Sequence, residues 1–199
     1  DGYVVGYIGN FTPQRGLETA IESFARLLES VSDATLVMVG SGKESYVKRL
    51  KQMCVNLGIE ENVEFTGWVE FERVFSYMNA CDVTLCTWVG DNIDSECTLP
   101  NKLFQSMFME TPVIVSDLRA MRNVVEETNC GLITEQDSVS SLTEALLKLY
   151  ENPELRREMG ENGKRAVEEK YNFDNEVETL ISLYERGIQN EQPTEPPSR

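Results

Sequence analysis

A lysine just inside the start of a helix, behind a polar loop, is the arrangement in this sequence best suited to hold an anion. It lies in Asn92 to Asp117, NIDSECTLPNKLFQSMFMETPVIVSD. The loop ends at Leu99-Pro100. Pro100 is expected in the first turn of a helix of about ten residues, where its missing N–H costs nothing. Leu103, Phe104, Met107 and Phe108 fall at helical spacing. Thr111-Pro112 stops that helix, and Val113-Ile114-Val115 reads as a buried strand. A helix start leaves backbone N–H groups free and carries about half a positive charge. With Lys102 in the first turn, the anion that fits is a phosphate. An ordinary loop-helix-strand unit of an α/β domain has the same pattern, so these residues alone leave both readings open.

The elements that must position this stretch follow from the rest of the chain. Tyr3 to Ile8 is a β-branched and aromatic strand. The turn-rich loop Gly9 to Gly16 leads into Leu17 to Leu28, where Leu17, Ile21, Phe24, Leu27 and Leu28 share one helix face. Strand, glycine loop and helix form the phosphate-binding half of many α/β folds, although this loop is neither G-x-G-x-x-G nor a Walker loop. Further strands are expected at Ala34 to Val39, Val63 to Thr66, Asp82 to Thr87, Val113 to Ser116 and Gly131 to Ile133. Helices are expected at Glu44 to Leu57 (with Gly58 as C-cap), Phe71 to Ala80, Leu118 to Glu127, Val139 to Tyr150, Pro153 to Glu158, Glu161 to Lys170 and Asn175 to Ile188. Strands alternating with helices at this spacing predict an α/β, Rossmann-like open parallel sheet with helices on both faces. One domain is expected over 1–188, with a disordered polar tail over 189–199. Ligands of such sheets bind outside the carboxyl ends of the strands.

The composition narrows the partners. The chain of 199 residues has net charge −16 and no histidine. An acidic surface argues against nucleic acid, which needs clustered Lys and Arg, and against docking on anionic lipid through this domain. Without histidine, Ser-His-Asp and Cys-His catalysis and imidazole metal sites are excluded. Five cysteines (54, 81, 86, 97 and 130) form no C-x-x-C pair, a pattern that fits a reducing compartment. Cys54, Cys81 and Cys86 are expected as small buried hydrophobes, Cys97 as exposed. No apolar run approaches the roughly twenty residues that span a bilayer. The abrupt opening on Asp1-Gly2 and a strand suggests a fragment of a longer protein.

Several short motifs occur in one order. They are Gly9-Asn10 with Arg15-Gly16-Leu17-Glu18, Val39-Gly40-Ser41-Gly42, Phe65-Thr66-Gly67-Trp68-Val69, Asp82-Val83, LPNKLFQSM with TPVIVSD, and Cys130-Gly131-Leu132. With the closing segment Pro153 to Asp174, this set resembles the C-terminal domain of family-4 retaining glycosyltransferases of the GT-B fold, over nearly the whole chain. The resemblance implies half of a GT-B enzyme: a domain binding a UDP- or GDP-linked nucleotide-diphosphate sugar for retaining transfer. The acceptor, a glycan or lipid-linked sugar, would be held by an N-terminal domain. No cofactor and no metal is implied, and the chain has no Asp-x-Asp pair. The expected location is cytoplasmic, with any peripheral contact to the inner face of the membrane made through the missing domain.

Carried over residue by residue, the family's two diphosphate-binding cations fall on Asn10 and Arg15. Arg15 keeps the charge and can grip phosphate bidentately; Asn10 can only donate a hydrogen bond. Gly9 and Gly16 belong to the same loop. Leu99, Pro100, Asn101 and Lys102 fall where helix amides meet the diphosphate, and Lys102 can supply the cation that Asn10 lacks. Gly67, Trp68 and Val69 match the loop bordering the base, and Gly40 to Gly42 lies on the same rim. Two family glutamates fall on Cys97 and Gln105; Gln105 can still bond a ribose hydroxyl, and the adjacent Glu96 is the candidate to replace the first carboxylate. Asp117 and Arg119 would line the cleft, or Asp117 would cap a helix. The expected catalytic set is therefore Arg15, Lys102 and Glu96. Loss of three family charges, at positions 10, 97 and 105, also fits a degenerate, non-catalytic GT-B domain that binds a partner or regulates.

Overall fold

A computed structural model describes residues 2–190, with side chains through Arg186. The strands are β1 (Val4–Ile8), β2 (Thr35–Val39), β3 (Val63–Gly67), β4 (Val83–Cys86), β5 (Val113–Ser116) and β6 (Gly131–Thr134). The helices are α1 (Leu17–Leu28), α2 (Glu44–Leu57), α3 (Phe71–Asn79), α4 (Ile93–Glu96), α5 (Asn101–Phe108), α6 (Arg119–Thr128), α7 (Val139–Glu151), α8 (Pro153–Glu169) and α9 (Phe173–Asn190). Of the tail expected over 189–199, residues 191–199 lie outside the described part. No helix among the described residues is long and apolar enough to cross a membrane.

All pairings are parallel, in the order β3-β2-β1-β4-β5-β6. Side chains alternate between the two sheet faces, as the two-residue period of a strand requires. Val5, Tyr7, Leu36, Met38, Leu85 and Ile114 join α1, α2 and α7 in one core. Ile8, Val37, Val39, Cys86, Val113 and Val115 face the other way, toward α3, α5 and α6. In α1, Leu17, Ile21, Phe24 and Leu27 are all fully buried, so this apolar stripe docks the helix as its period predicts. Cys54, Cys86 and Cys130 are buried and Cys97 is exposed; Cys81 is half-buried. Gly58 closes α2 in the left-handed conformation, as expected of a C-cap glycine.

Three local expectations are corrected. Pro100 is not in the first turn of α5 but just before it, as N-cap. The loop before it contains the short helix α4, opened by Asn92, whose side chain accepts from the Ser95 N–H at 2.9 Å. The third correction is larger. Glycine at position 160 reads as a break between two helices, yet α8 runs unbroken from Pro153 to Glu169. A Cβ on Gly160 would lie 2.0 Å from the Glu110 carbonyl oxygen, and one on Gly163 would lie 3.1 Å from the Met107 Cα. Both glycines let α8 approach the end of α5, and α5 begins at the predicted anion site. Gly160→Ala should therefore destabilise by about 2–3 kcal/mol, against the roughly 1 kcal/mol that alanine gains in a helix interior. Thermal denaturation checks it; a stabilised variant would rule out the close approach.

Candidate functional site

Reversal of strand order puts β1 and β4 side by side while their following loops diverge to opposite sides, the usual place for a ligand in an open α/β sheet. A cleft of about 370 Å³ opens there. Its wall brings together Gly9, Asn10 and Arg15 from the first loop with Pro100, Asn101, Lys102 and Gln105 from α5. Tyr7, Ile8, Phe71 and Val74 complete the lining. No carboxylate lines it.

The first loop is stitched down on both sides. The Gly9 N–H donates to the Val39 carbonyl at 2.9 Å, and the Phe11 N–H to the Ser41 carbonyl at 2.8 Å. Thr87 donates its hydroxyl to the Arg15 carbonyl at 2.6 Å, and the Val89 N–H donates to the Gln14 carbonyl at 2.8 Å. Arg15 is thus held by the loop after β4, and its guanidinium carbon lies 3.6 Å from the centroid of the Trp88 ring.

Lys102 is the unusual member. Lys102 lines the cleft, and its Nζ is shut off from bulk solvent with no hydrogen-bond partner. The ammonium sits 3.7 Å from the Tyr7 ring centroid. Burial pushes its pKa down to about 8; the nearby Arg15 charge lowers it further, against an opposing effect of Cys86. An enclosed, unpaired cation is costly, and an anion in the cleft would satisfy it. The first turn of α5 adds unpaired backbone amides, since its N-cap Pro100 makes no side-chain cap bond.

The remaining sequence candidates are placed elsewhere. Glu96 accepts a hydrogen bond from the Arg119 N–H at 2.9 Å and does not line the cleft. Asp117 caps nothing: α6 starts from Leu118 without a side-chain cap, and Asp117 pairs with Arg122. Gly16 packs beside Thr87 and Val89, and Gly40 and Gly42 pack on the backbone of Gly9 and Phe11. Val69 is partly buried against the cluster of Ile8, Val37, Val39 and Met78. Leu99 is exposed, Trp68 is 74% exposed, and Gly67 has open space around it. Sequence reasoning does not mark Tyr7, Phe71, Val74 or Trp88 as site residues. Tyr7 reads as an ordinary strand residue, and its signal is an aromatic ring two residues before the glycine loop. Phe71 reads as part of a buried helix face but is 60% exposed, edge-on to Phe75 at 5.2 Å. Among the described residues, no group of three or more Cys, Asp or Glu side chains is arranged to hold a metal ion.

A parallel sheet of this order, with two cations and a helix start converging at its switch point, defines a Rossmann-like α/β domain with a cleft suited to an anion. The model of the group 1 glycosyl transferases matches residues 1–166, and the chain belongs to that family. It is 26% identical to a phosphatidyl-myo-inositol mannosyltransferase of Mycobacterium leprae, over 92% of this chain and 46% of that protein. The structure of HepE from Anabaena in complex with UDP superposes with a TM-score of 0.79 at 22% identity, covering 91% of this chain and 49% of that one. The C-terminal domain of LpcC, a group 1 glycosyl transferase of Francisella tularensis, superposes with a TM-score of 0.72 at 21% identity, over 86% and 87% of the two chains. The fold is that of one half of the GT-B glycosyltransferases. The chain spans about half the length of the curated relatives it matches.

Proposed function

We propose that this chain is the donor-binding half of a retaining hexosyltransferase and holds the nucleotide diphosphate of a UDP- or GDP-linked sugar. The observation that carries the reading is Lys102, an enclosed ammonium without a partner that shares a cleft with Arg15. Arg15, Lys102 and the first amides of α5 would receive the charge that develops on the departing diphosphate. Electrostatic stabilisation of the leaving group is the main demand of such a transfer, and it needs neither a cofactor nor a resident metal. Gln105 can bond a ribose hydroxyl. Phe71 and Val74 offer an apolar wall for the base. UDP in the similar HepE structure supports a nucleotide ligand. A glycan or lipid-linked acceptor would be held by an N-terminal domain, which would also make any contact with the inner face of a membrane.

Calorimetric titration with UDP, GDP and ADP tests this: UDP or GDP should bind, and no binding at millimolar nucleotide would overturn it. Arg15→Ala should weaken nucleotide binding ten- to thirtyfold, because a guanidinium–phosphate pair is a charge-assisted bond. Unchanged affinity would return Arg15 to an exposed turn. Two observations favour a second reading, a degenerate GT-B domain that binds without catalysing: the cleft lacks carboxylates, and Glu96 is engaged with Arg119. Donor turnover by the full-length protein separates the two. Binding without transfer or donor hydrolysis would select the second.

A further inference from the structure

Both cations of the cleft rest on aromatic faces, and neither makes an ion pair among the described residues. Lys102 Nζ is 3.7 Å from the Tyr7 centroid and the Arg15 guanidinium carbon is 3.6 Å from that of Trp88. This is unexpected in a chain with 34 Asp and Glu against 18 Lys and Arg. Elsewhere cations do find carboxylates, as in Arg156 with Asp82 and Lys164 with Glu110. We propose that Tyr7 and Trp88 are positioning residues that carry the two site cations on their ring faces at the cleft wall while leaving both charges uncompensated. The inference rests on the reading of the cleft as a diphosphate site.

The physical advantage is specific. A carboxylate partner would hold a cation equally well but cancel its field, whereas a ring face attracts the cation through its quadrupole and adds no net charge. Both rings are themselves anchored. Tyr7 is buried on β1, with its hydroxyl donating to the Asn10 carbonyl at 2.8 Å, and so also braces the glycine loop. Trp88 follows β4; its backbone N–H donates to the Ser116 hydroxyl at 2.8 Å, and its neighbour Thr87 holds the Arg15 carbonyl. Because β1 and β4 are adjacent, the rings flank the switch point and present one cation each.

The groups facing Lys102 are the Tyr7 phenol from β1, the Cys86 thiol from β4 and the Arg15 guanidinium from the first loop. Burial raises the pKa of the phenol and of the thiol, so near neutral pH both stay uncharged and Lys102 is the group that titrates. The test is calorimetric titration of the 199-residue chain with UDP between pH 6.5 and 9.5. The variants are Tyr7→Phe, Tyr7→Leu, Trp88→Phe and Trp88→Leu, each checked for fold by circular dichroism. The leucine variants should bind UDP about tenfold more weakly at pH 7, and the phenylalanine variants, which keep a ring, should recover to within about threefold of the parent. In Tyr7→Leu the alkaline midpoint of binding should also move to lower pH, since an ammonium without its ring loses its proton more readily. Trp88→Leu should leave that midpoint in place, because the Trp88 ring carries the Arg15 guanidinium and not the lysine. Purely structural roles would not separate the two midpoints. Leucine variants binding like the parent, or phenylalanine variants as weak as leucine, would overturn the inference alone; a parent that binds no nucleotide would overturn the donor reading with it. Should Tyr7→Leu fail to fold, the Trp88 pair decides.

Discussion

Lys102→Met is expected to weaken UDP binding about a hundredfold while raising the melting temperature of the ligand-free protein by several degrees. The loss follows from removing a charge-assisted contact to phosphate, worth roughly 1.5–3 kcal/mol. The gain follows from the state of the lysine without ligand: Nζ is enclosed and makes no hydrogen bond. Methionine has similar volume and no charge to desolvate. The lowered pKa reflects that penalty. Folding moves it from 10.5 to about 8, and at about 1.4 kcal/mol per unit that is on the order of 3 kcal/mol below pH 8. The sign is fixed by linkage. Between pH 8 and 10.5 the unfolded chain binds more protons at this lysine, so its contribution to stability rises with pH and the penalty disappears by pH 10.5. Cys54 and the half-buried Cys81, pushed up to about 11 and about 12 by desolvation, work in the opposite direction. They keep their protons when folded and lose them from pH 9 when unfolded, so stability falls there. The difference between wild type and Lys102→Met isolates the lysine. Urea denaturation at pH 7 and pH 10 should show the variant ahead at pH 7 and the gap closing at pH 10. A wild type more stable than Lys102→Met at pH 7 would contradict an unpaired ammonium. UDP affinity of the wild type should also decline above pH 8 as Lys102 loses its charge.

Gly40→Ala should cost on the order of 3–4 kcal/mol and lower the melting temperature by about 10 °C, with nucleotide affinity falling alongside. Gly40 has φ near +137°, and a Cβ there would lie 2.0 Å from the Gly9 carbonyl oxygen. The atoms that the Cβ would meet, the carbonyl oxygen and carbon of Gly9, are backbone, so relief requires moving the loop after β1 away from the loop after β2. That movement displaces Gly9 and Asn10, which line the cleft. Gly67→Ala is the contrast. Its φ of +72° is also left-handed, yet nothing lies within 4 Å of the added atom, so only the local conformational cost of about 1 kcal/mol applies. Parallel melts of the two variants test whether close approach, and not merely positive φ, makes Gly40 necessary. Equal losses would reject it.

The role of these glycines separates what local pattern can reveal from what it cannot. Gly58 was legible as a C-cap because capping is decided within one helical turn. Gly160 was not: in sequence it looks like a helix break, while its reason is the Glu110 carbonyl on another element. Glu96 is similar. Its position beside Cys97 suggested a substitute carboxylate, but the backbone of Arg119 takes it up.

The run of strands and helices, the parallel sheet and a helix start with a lysine suited to an anion are all legible in the residues, because periodicity, turn residues and caps act over a few positions. The ordered motifs pointed to the glycosyltransferase family. It takes the folded chain to show that Arg15 and Lys102 share one cleft, that no carboxylate joins them, and that Tyr7 and Trp88 lie beneath them. Those facts depend on β1 pairing with β4 across two intervening strands. That crossover is settled by burial of the whole sheet between its helix layers, not by any local stretch.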